Sequence, residues 1–314
     1  MRVLFLCVVA GVLGTFASAQ TRLYVVNGDG SRITIIDLAA GKVAGEVAVS
    51  PGPVAVVASE GGRRLYVSSG GGNVVDVVDR RTLKVTKSIP VGLKPAGMVL
   101  APNGRFLFVC IRGGASVEVI DTASLMRTKS IPVGVAPGNI YVTPDGTRLI
   151  VTSEGDKKLV VINVRSQVPE FEIPAGGVPL GLAFESDRNL VIRRLFVQVP
   201  GSFGIIDYAT RKTAGKFTPP GARGLAVSPD RRTVWVSHSP GDAVTVFGLP
   251  DLKKLETVAV GAGMNPGSMV FAADGKRVYV ANTDSNDVSV IDTATYKELM
   301  RIPAGMKPGR IFVE

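Results

Sequence analysis

His238 is the only histidine in the chain, and Cys7 and Cys110 are the only cysteines. A closed zinc site draws four ligands mostly from these residue types, so no protein-only metal centre is expected. Ser237-His238-Ser239 sets hydroxyls beside an imidazole. A nucleophilic triad is defined by geometry in space, and neighbours along one segment do not supply it. Glu154, Asp156, Asp284 and Asp287 lie in polar turns, where carboxylates also bond their own backbone. Asn27-Gly28-Asp29-Gly30 has the opening of a calcium loop but lacks the closing glutamate. No glycine-rich phosphate loop runs into a helical pattern. These residues offer no catalytic set and imply no cofactor. They do offer cations, Lys94, Arg112, Arg223, Lys307 and Arg310, together with His238, Asn27 and Asn282. If the fold gathers them, they could hold a small anion by charge-assisted hydrogen bonds.

An internal repeat decides whether it does. Val278–Thr295 is the clearest copy: an alternating run, Val278-Tyr279-Val280, then a polar turn, Asn282 to Asp287, then Val288-Ser289-Val290-Ile291 closing on Asp292. Alternation at period two predicts two strands, each with one face buried. The closing position recurs as Asp37, Asp79, Asp121, Asn163, Asp207, Gly248 and Asp292, at spacings of 42, 42, 42, 44, 41 and 44 residues. Seven units of this length match propeller blades of four short strands, A to D. In the third copy these are Met98–Ala101, Phe106–Val109, Ser116–Ile120 and Arg127–Val133, with Pro102-Asn103-Gly104 as a strong turn signal. The mature chain opens on a strand B, Leu23-Tyr24-Val25-Val26, and ends on a strand A, Ile311-Phe312-Val313.

The expected architecture is therefore all-β. It is a seven-bladed β-propeller of four-stranded antiparallel blades over residues 20–314, its ring closed by the C-terminal strand pairing in the N-terminal blade. Blade five departs from the pattern: Ser186-Asp187-Arg188-Asn189 replaces Pro-Asp-Gly, and its A–B connection, through Arg194, reads as longer. Blade six ends strand C in Phe247-Gly248-Leu249-Pro250.

Strand alternation sorts the loops into two faces. A–B and C–D turns share one face, and B–C and D–A loops share the other. The A–B turns carry Arg22, Arg64, Arg105, Arg148, Arg194, Arg232 and Arg277, and the C–D side adds further Lys and Arg. Such a face could attract polyanions non-specifically. The B–C/D–A face, next to the central channel, carries the eight candidate binding residues. Asn27, Ser69, Ile111, Ser153, Val199, His238 and Asn282 occupy its equivalent position after strand B.

Arg2, the apolar run Val3 to Val12 and Ala17-Ser18-Ala19 form a secretory signal peptide, residues 1–19, cut before Gln20. Removing Arg2 leaves 35 Lys and Arg against 26 acids, a mature charge of +9. Cys110 is then the only thiol, so export is expected without a disulfide, as in a bacterial periplasm or on a cell surface. No further segment is long and apolar enough to span a membrane. A monomer is expected, with an unknown protein or a small anion as partner.

Tyr279-Val280-Ala281-Asn282, Tyr24-Val25-Val26-Asn27, Val290-Ile291-Asp292-Thr293 and Ile131-Pro132-Val133-Gly134 with Pro137 resemble the YVTN-repeat β-propellers over nearly all of the mature chain. The resemblance implies an exported propeller, with lactonase-like and haem d1-type propellers among its relatives. It carries fold further than function. The leading expectation is a non-catalytic binding platform with its ligand at the channel mouth. The alternatives are a lactonase- or oxidoreductase-type enzyme, and a haem d1-type or electron-transfer propeller in which His238 would be the axial ligand and Arg112 or Arg223 would face the haem carboxylates.

Overall fold

The structure, a computed structural model, describes residues 22–28, 30–239, 241–261 and 264–313. The expected signal peptide lies outside these residues. The described chain forms seven four-stranded antiparallel sheets arranged in a ring, as the repeat predicts. The blade of residues 95–132 is representative: strand A is Pro95–Leu100, B Phe106–Ile111, C Ser116–Asp121 and D Met126–Pro132. Strand A starts earlier than the sequence suggests, because Pro95 still pairs with Ile111 beyond an irregularity in the ladder. The A strands stand side by side round the axis and the D strands form the rim.

The first blade takes its strand A from the C-terminus. Pro308–Val313 lies against Arg22–Asn27, with Leu23 opposite Val313, Tyr24 opposite Phe312 and Val25 opposite Ile311. Sequence order and ring order thus differ by one strand, and the first blade has its innermost strand like the other six.

The expectation of one buried face per strand fails for B and C. Leu65-Tyr66-Val67-Ser68 and Val75-Asp76-Val77-Val78 are buried at every position. Each blade packs both of its faces against neighbours, so these strands are enclosed on both sides. The apolar core is accordingly divided into seven clusters, one between each pair of adjacent blades. Trp235, the largest fully buried side chain, sits between blades six and seven, edge-on to Phe271 at 5.7 Å.

The aspartate that closes strand C is a turn device. Asp121 Oδ1 accepts from the backbone N–H of Ala123 and Ser124 at 3.0 and 2.9 Å, and Asp79 and Asp292 do the same in their blades. Asn163 makes the equivalent pair of bonds to Arg165 and Ser166, so the turn needs the oxygen and not the charge. The hydrogen bonds to these turns hold the Asp79, Asp121, Asp207 and Asp292 carboxyls below the usual carboxylate range.

Blade five absorbs its extra residues differently from the expectation. Arg194 lies inside an eight-residue strand B, Ile192–Val199, opposite Asp207. It is not in the turn. The same Arg–Asp opposition recurs as Arg64 with Asp79 and Arg277 with Asp292.

Ser68 and Ser237, next to last in their strands B, tie blades together. Ser68 Oγ accepts from Ala55 N at 3.1 Å and donates to Ala96 O of the next blade at 2.6 Å. Ser237 Oγ accepts from Gly224 N at 2.9 Å and donates to Gly267 O at 2.8 Å. Cys110 holds this position in the third blade, is fully buried, and has its thiol pKa pushed well up by burial. A thiol-reactive dye is expected to label the folded protein far more slowly than the denatured protein. Fast stoichiometric labelling without denaturant would contradict this placement.

Candidate functional site

The A strands enclose a cavity of ≈ 590 Å³ in the channel, with walls drawn from six blades. Arg223 and Arg310 line it, and the other polar side chains are Asn139, Tyr141, Gln198, Ser268 and Thr283. None of the lining residues is a carboxylate.

Most of this wall is fixed by bonds to backbone. Asn139 Nδ2 donates to Leu180 O at 2.6 Å. Leu182 N donates to the Tyr141 hydroxyl at 3.3 Å, and burial raises that phenol's pKa, keeping it a neutral hydroxyl. Gln198, which takes the Ser68 position in blade five, donates its Nε2 to Arg223 O. Arg223 Nη1 donates to Asn265 Oδ1, which holds the exposed guanidinium at the mouth. Thr283 Oγ1 donates to Pro308 O at 3.3 Å.

Arg310 stands apart. It is half-buried and lines the cavity, and it has neither an ion-pair partner nor a hydrogen bond among the described residues. Ser268, on the neighbouring A strand, is likewise half-buried, with a hydroxyl that makes no hydrogen bond among the described residues. Taking a guanidinium partly out of water without a counter-charge is unfavourable. An anion in the cavity would supply that counter-charge.

Of the eight expected binding residues, the structure brings only Arg223 and Arg310 into the cavity wall. Asn27, His238 and Asn282 are buried inside their blades. Each bonds the strand-C residue seven positions on: Asn27 Nδ2 to Thr34 Oγ1 at 2.9 Å, His238 Nε2 with Thr245 Oγ1 at 2.8 Å, and Asn282 Nδ2 to Ser289 Oγ at 2.7 Å. Ser69 and Asp76 repeat the pairing. These side chains pin strand B to strand C. Arg112 pairs with Glu154 at 2.5 Å outside the cavity wall. Lys94 and Lys307 are exposed, and their backbone N–H groups donate to Asn73 and Asn286. Asp156 plays the same loop-capping part for Val135 N at 3.0 Å.

Asn139, Tyr141, Gln198 and Ser268 were not visible as site residues because they lie within strands and not in loops. Aligning strand A across blades would have exposed part of the set. The position reads Ala55, Gly97, Asn139, Gly181, Gly224, Ser268, Arg310, where small residues prevail and Arg310 stands out.

His238 Nδ1 faces Pro220 O at 2.7 Å while Nε2 faces Thr245. With both ring nitrogens engaged inside the blade, it does not fit as an axial haem ligand. No group of three or more His, Cys, Asp or Glu suited to a metal ion occurs among the described residues. On the opposite face three of the seven A–B arginines are locally paired, Arg105 with Asp121 at 3.7 Å, Arg148 with Glu170 at 2.6 Å, and Arg194 with Glu185. No helix of the described chain is long and apolar enough to cross a membrane.

The family model described as "Lactonase, 7-bladed beta-propeller" matches residues 201–302. No curated protein matches the sequence. Among solved structures, hydrazine synthase of Kuenenia stuttgartiensis is similar with a TM-score of 0.72 and 22% identity, over 83% of this chain and 89% of that one. A functionally unknown protein from Desulfotomaculum acetoxidans aligns with a TM-score of 0.77 and 15% identity, over 93% of this chain and 98% of that one. The dihydro-haem d1 dehydrogenase NirN aligns with a TM-score of 0.70 and 17% identity, over 93% of this chain and 74% of that one. Lactonase-like and haem d1-type propellers, the relatives expected from the repeat motifs, are both represented. The chain is a seven-bladed β-propeller whose stretch from the fifth blade to the seventh is similar to the lactonase family of propellers.

Proposed function

We propose that the protein is an exported, non-catalytic binding protein whose ligand is a small anion held in the central channel by Arg310 and Arg223. The observation that carries this is the half-buried Arg310 guanidinium, which has no ion-pair partner among the described residues, in a wall that contains no carboxylate. Ser268 and the Tyr141 hydroxyl are further hydrogen-bonding groups in the same wall. The A–B face would then contribute at most non-specific attraction for polyanions, since several of its arginines already have acidic neighbours.

The lactonase-type enzyme is the second reading, favoured by the family match over residues 201–302. It requires a general base at the channel, and none of the four loop acids lies in the cavity wall: Glu154 pairs with Arg112, Asp156 accepts from a loop N–H, Asp287 accepts from Asn282, and Asp284 is exposed.

The test is a titration of the mature protein with small carboxylates and inorganic phosphate, repeated with Arg223→Ala plus Arg310→Ala. Charge-assisted hydrogen bonds are worth about 1.5–3 kcal/mol each, so binding is expected to weaken by about tenfold or more. Unaltered binding in the variant would sink the proposal.

A further inference from the structure

Four D–A loops carry an exposed apolar residue two places before the proline that opens strand A. Met306, Leu93 and Val135 precede Pro308, Pro95 and Pro137 in this way and are 63%, 63% and 55% exposed. Pro51, also exposed, takes the same place before Pro53. These loops lead into the A strands of the first four blades, so the tips form one arc on the channel-mouth face. The same backbone bonds hold them in matching positions. Gly71 N, Gly113 N and Gly155 N donate to Pro51 O, Leu93 O and Val135 O at 3.0, 2.9 and 3.0 Å. Gly28 N donates to Lys307 O as Arg112 N does to Lys94 O. The residue after the tip has a positive φ in each case: 50° at Lys307, 67° at Gly52, 53° at Lys94 and 52° at Ala136. In blade seven the matching Met264 is half-buried, and its sulfur accepts from Arg301.

The exposed charge among these tips is positive. Lys94 and Lys307 directly follow Leu93 and Met306, and Lys157 stands in the B–C loop of the fourth blade, all three exposed. The loop acids of that blade are engaged, Glu154 with Arg112, and Asp156 with Val135 N and, at 3.6 Å, with Lys158. Separate tips do not form the contiguous apolar core of a protein–protein interface, and lysine is depleted from such interfaces. A fluid bilayer closes around separate side chains and needs no contiguous patch. Lysines beside the tips keep their ammonium groups at the headgroup layer, where anionic lipid attracts them. Apolar tip and following lysine therefore fit the two layers of one anionic lipid surface.

We propose that this arc docks the protein on an anionic bilayer surface, with Leu93, Val135 and Met306 entering the interface and Lys94 and Lys307 on the headgroups. The channel mouth then faces the bilayer. The docking stands independently of the anion site, since neither Arg223 nor Arg310 is part of it.

The experiment is flotation of the mature protein with vesicles of phosphatidylcholine, alone or with about a third phosphatidylglycerol. The protein is expected to float with the anionic vesicles and far less with the neutral ones. Leu93→Ser with Met306→Ser is expected to weaken binding by at least about tenfold, since both side chains are largely exposed and leave the fold intact. Lys94→Asn with Lys307→Asn is expected to weaken it by about thirtyfold, at about fivefold per lysine. Asparagine tolerates the positive φ and stands at the matching place in blade seven as Asn265. Lys84→Asn with Lys212→Asn removes the same charge from the opposite face and is expected to leave binding unchanged. The lipid comparison on the unaltered protein needs no variant, so it decides even where a substitution does not fold. Absence of binding to anionic vesicles overturns the proposal. So does equal loss in the two lysine pairs, which would mean attraction by net charge alone, or full binding in Leu93→Ser with Met306→Ser. Dimerisation that this apolar pair abolishes, without vesicle binding, would assign the arc to a second copy of the chain and overturn the bilayer.

Discussion

Removing residues 308–314 is expected to cost the protein its native ring. The deleted segment is strand A of the first blade and lies along Arg22–Asn27. Leu23, Tyr24, Val25 and Val26 are all essentially buried in the closed ring. Without the tail, the inner edge of that strand is opened, with its N–H and C=O groups unpaired. Phe312, whose ring lies 6.2 Å from that of Tyr24, and Ile311 and Val313, which pack between blades seven and one, are lost as well. Fully burying a side chain of this size is worth about 1.5–3 kcal/mol. Even discounted for partial burial, three of them remove several kcal/mol from a total that is typically about 5–15 kcal/mol. The truncated protein is expected to elute as aggregate in size-exclusion chromatography, or to melt far below the parent. A monodisperse monomer with an unchanged Tm would show that the tail does not close the ring.

The second large effect is expected from a single methyl group. At Gly224 a Cβ would fall inside the contact radius of the Gly267 carbonyl oxygen and lie 2.9 Å from Ser237 Oγ. Both atoms belong to the junction where Ser237 joins strand A of its own blade to strand A of the next. Neither is the free end of a flexible chain, so relief requires the two blades to move apart. Gly224→Ala is expected to destabilise by about 1–3 kcal/mol through overpacking. Gly215→Ala is the matched control, because a Cβ there meets nothing nearer than Ile205 Cδ1 at 3.8 Å. It should leave the Tm unchanged or slightly raised. Equal melting temperatures for the two variants would mean that the blades are not in such close contact at the axis.

These outcomes depend on features that differ in how plainly they can be read from the chain. The blades and their closure are legible because the same turn chemistry returns at a nearly constant period and the two ends supply complementary strands. Burial on both sides of strands B and C is less legible, because Ser289 and Thr34 interrupt the apolar run as a solvent-facing position would. They are polar because they receive Asn282 and Asn27. That same pairing explains why the residue after strand B looked available for binding. It faces inward across the hairpin to strand C, not toward the channel. Arg223 and Arg310 were legible as cations close to D–A loops. Asn139 and Tyr141 were not, since strand A lines the channel as well as packing against its neighbours, and Gln198 was not, since it takes a strand B position that the other blades bury. A polar residue within strand A carries no period that distinguishes wall from interface.

In the proposed function an anion is held by the channel arginines and not by the arginines of the opposite face. One comparison tests it most directly: calorimetric titration of a bound carboxylate or phosphate into Arg223→Ala with Arg310→Ala, and into Arg105→Ala with Arg148→Ala, at two salt concentrations. The channel pair is expected to fold normally, since Arg310 gives up no ion pair among the described residues, and to lose about tenfold or more in affinity. The opposite pair should bind like the parent, and salt should weaken binding far less than it weakens a polyanion that makes many contacts. Binding that survives in the channel pair, or that is lost only in the opposite pair with a steep salt dependence, would contradict the account.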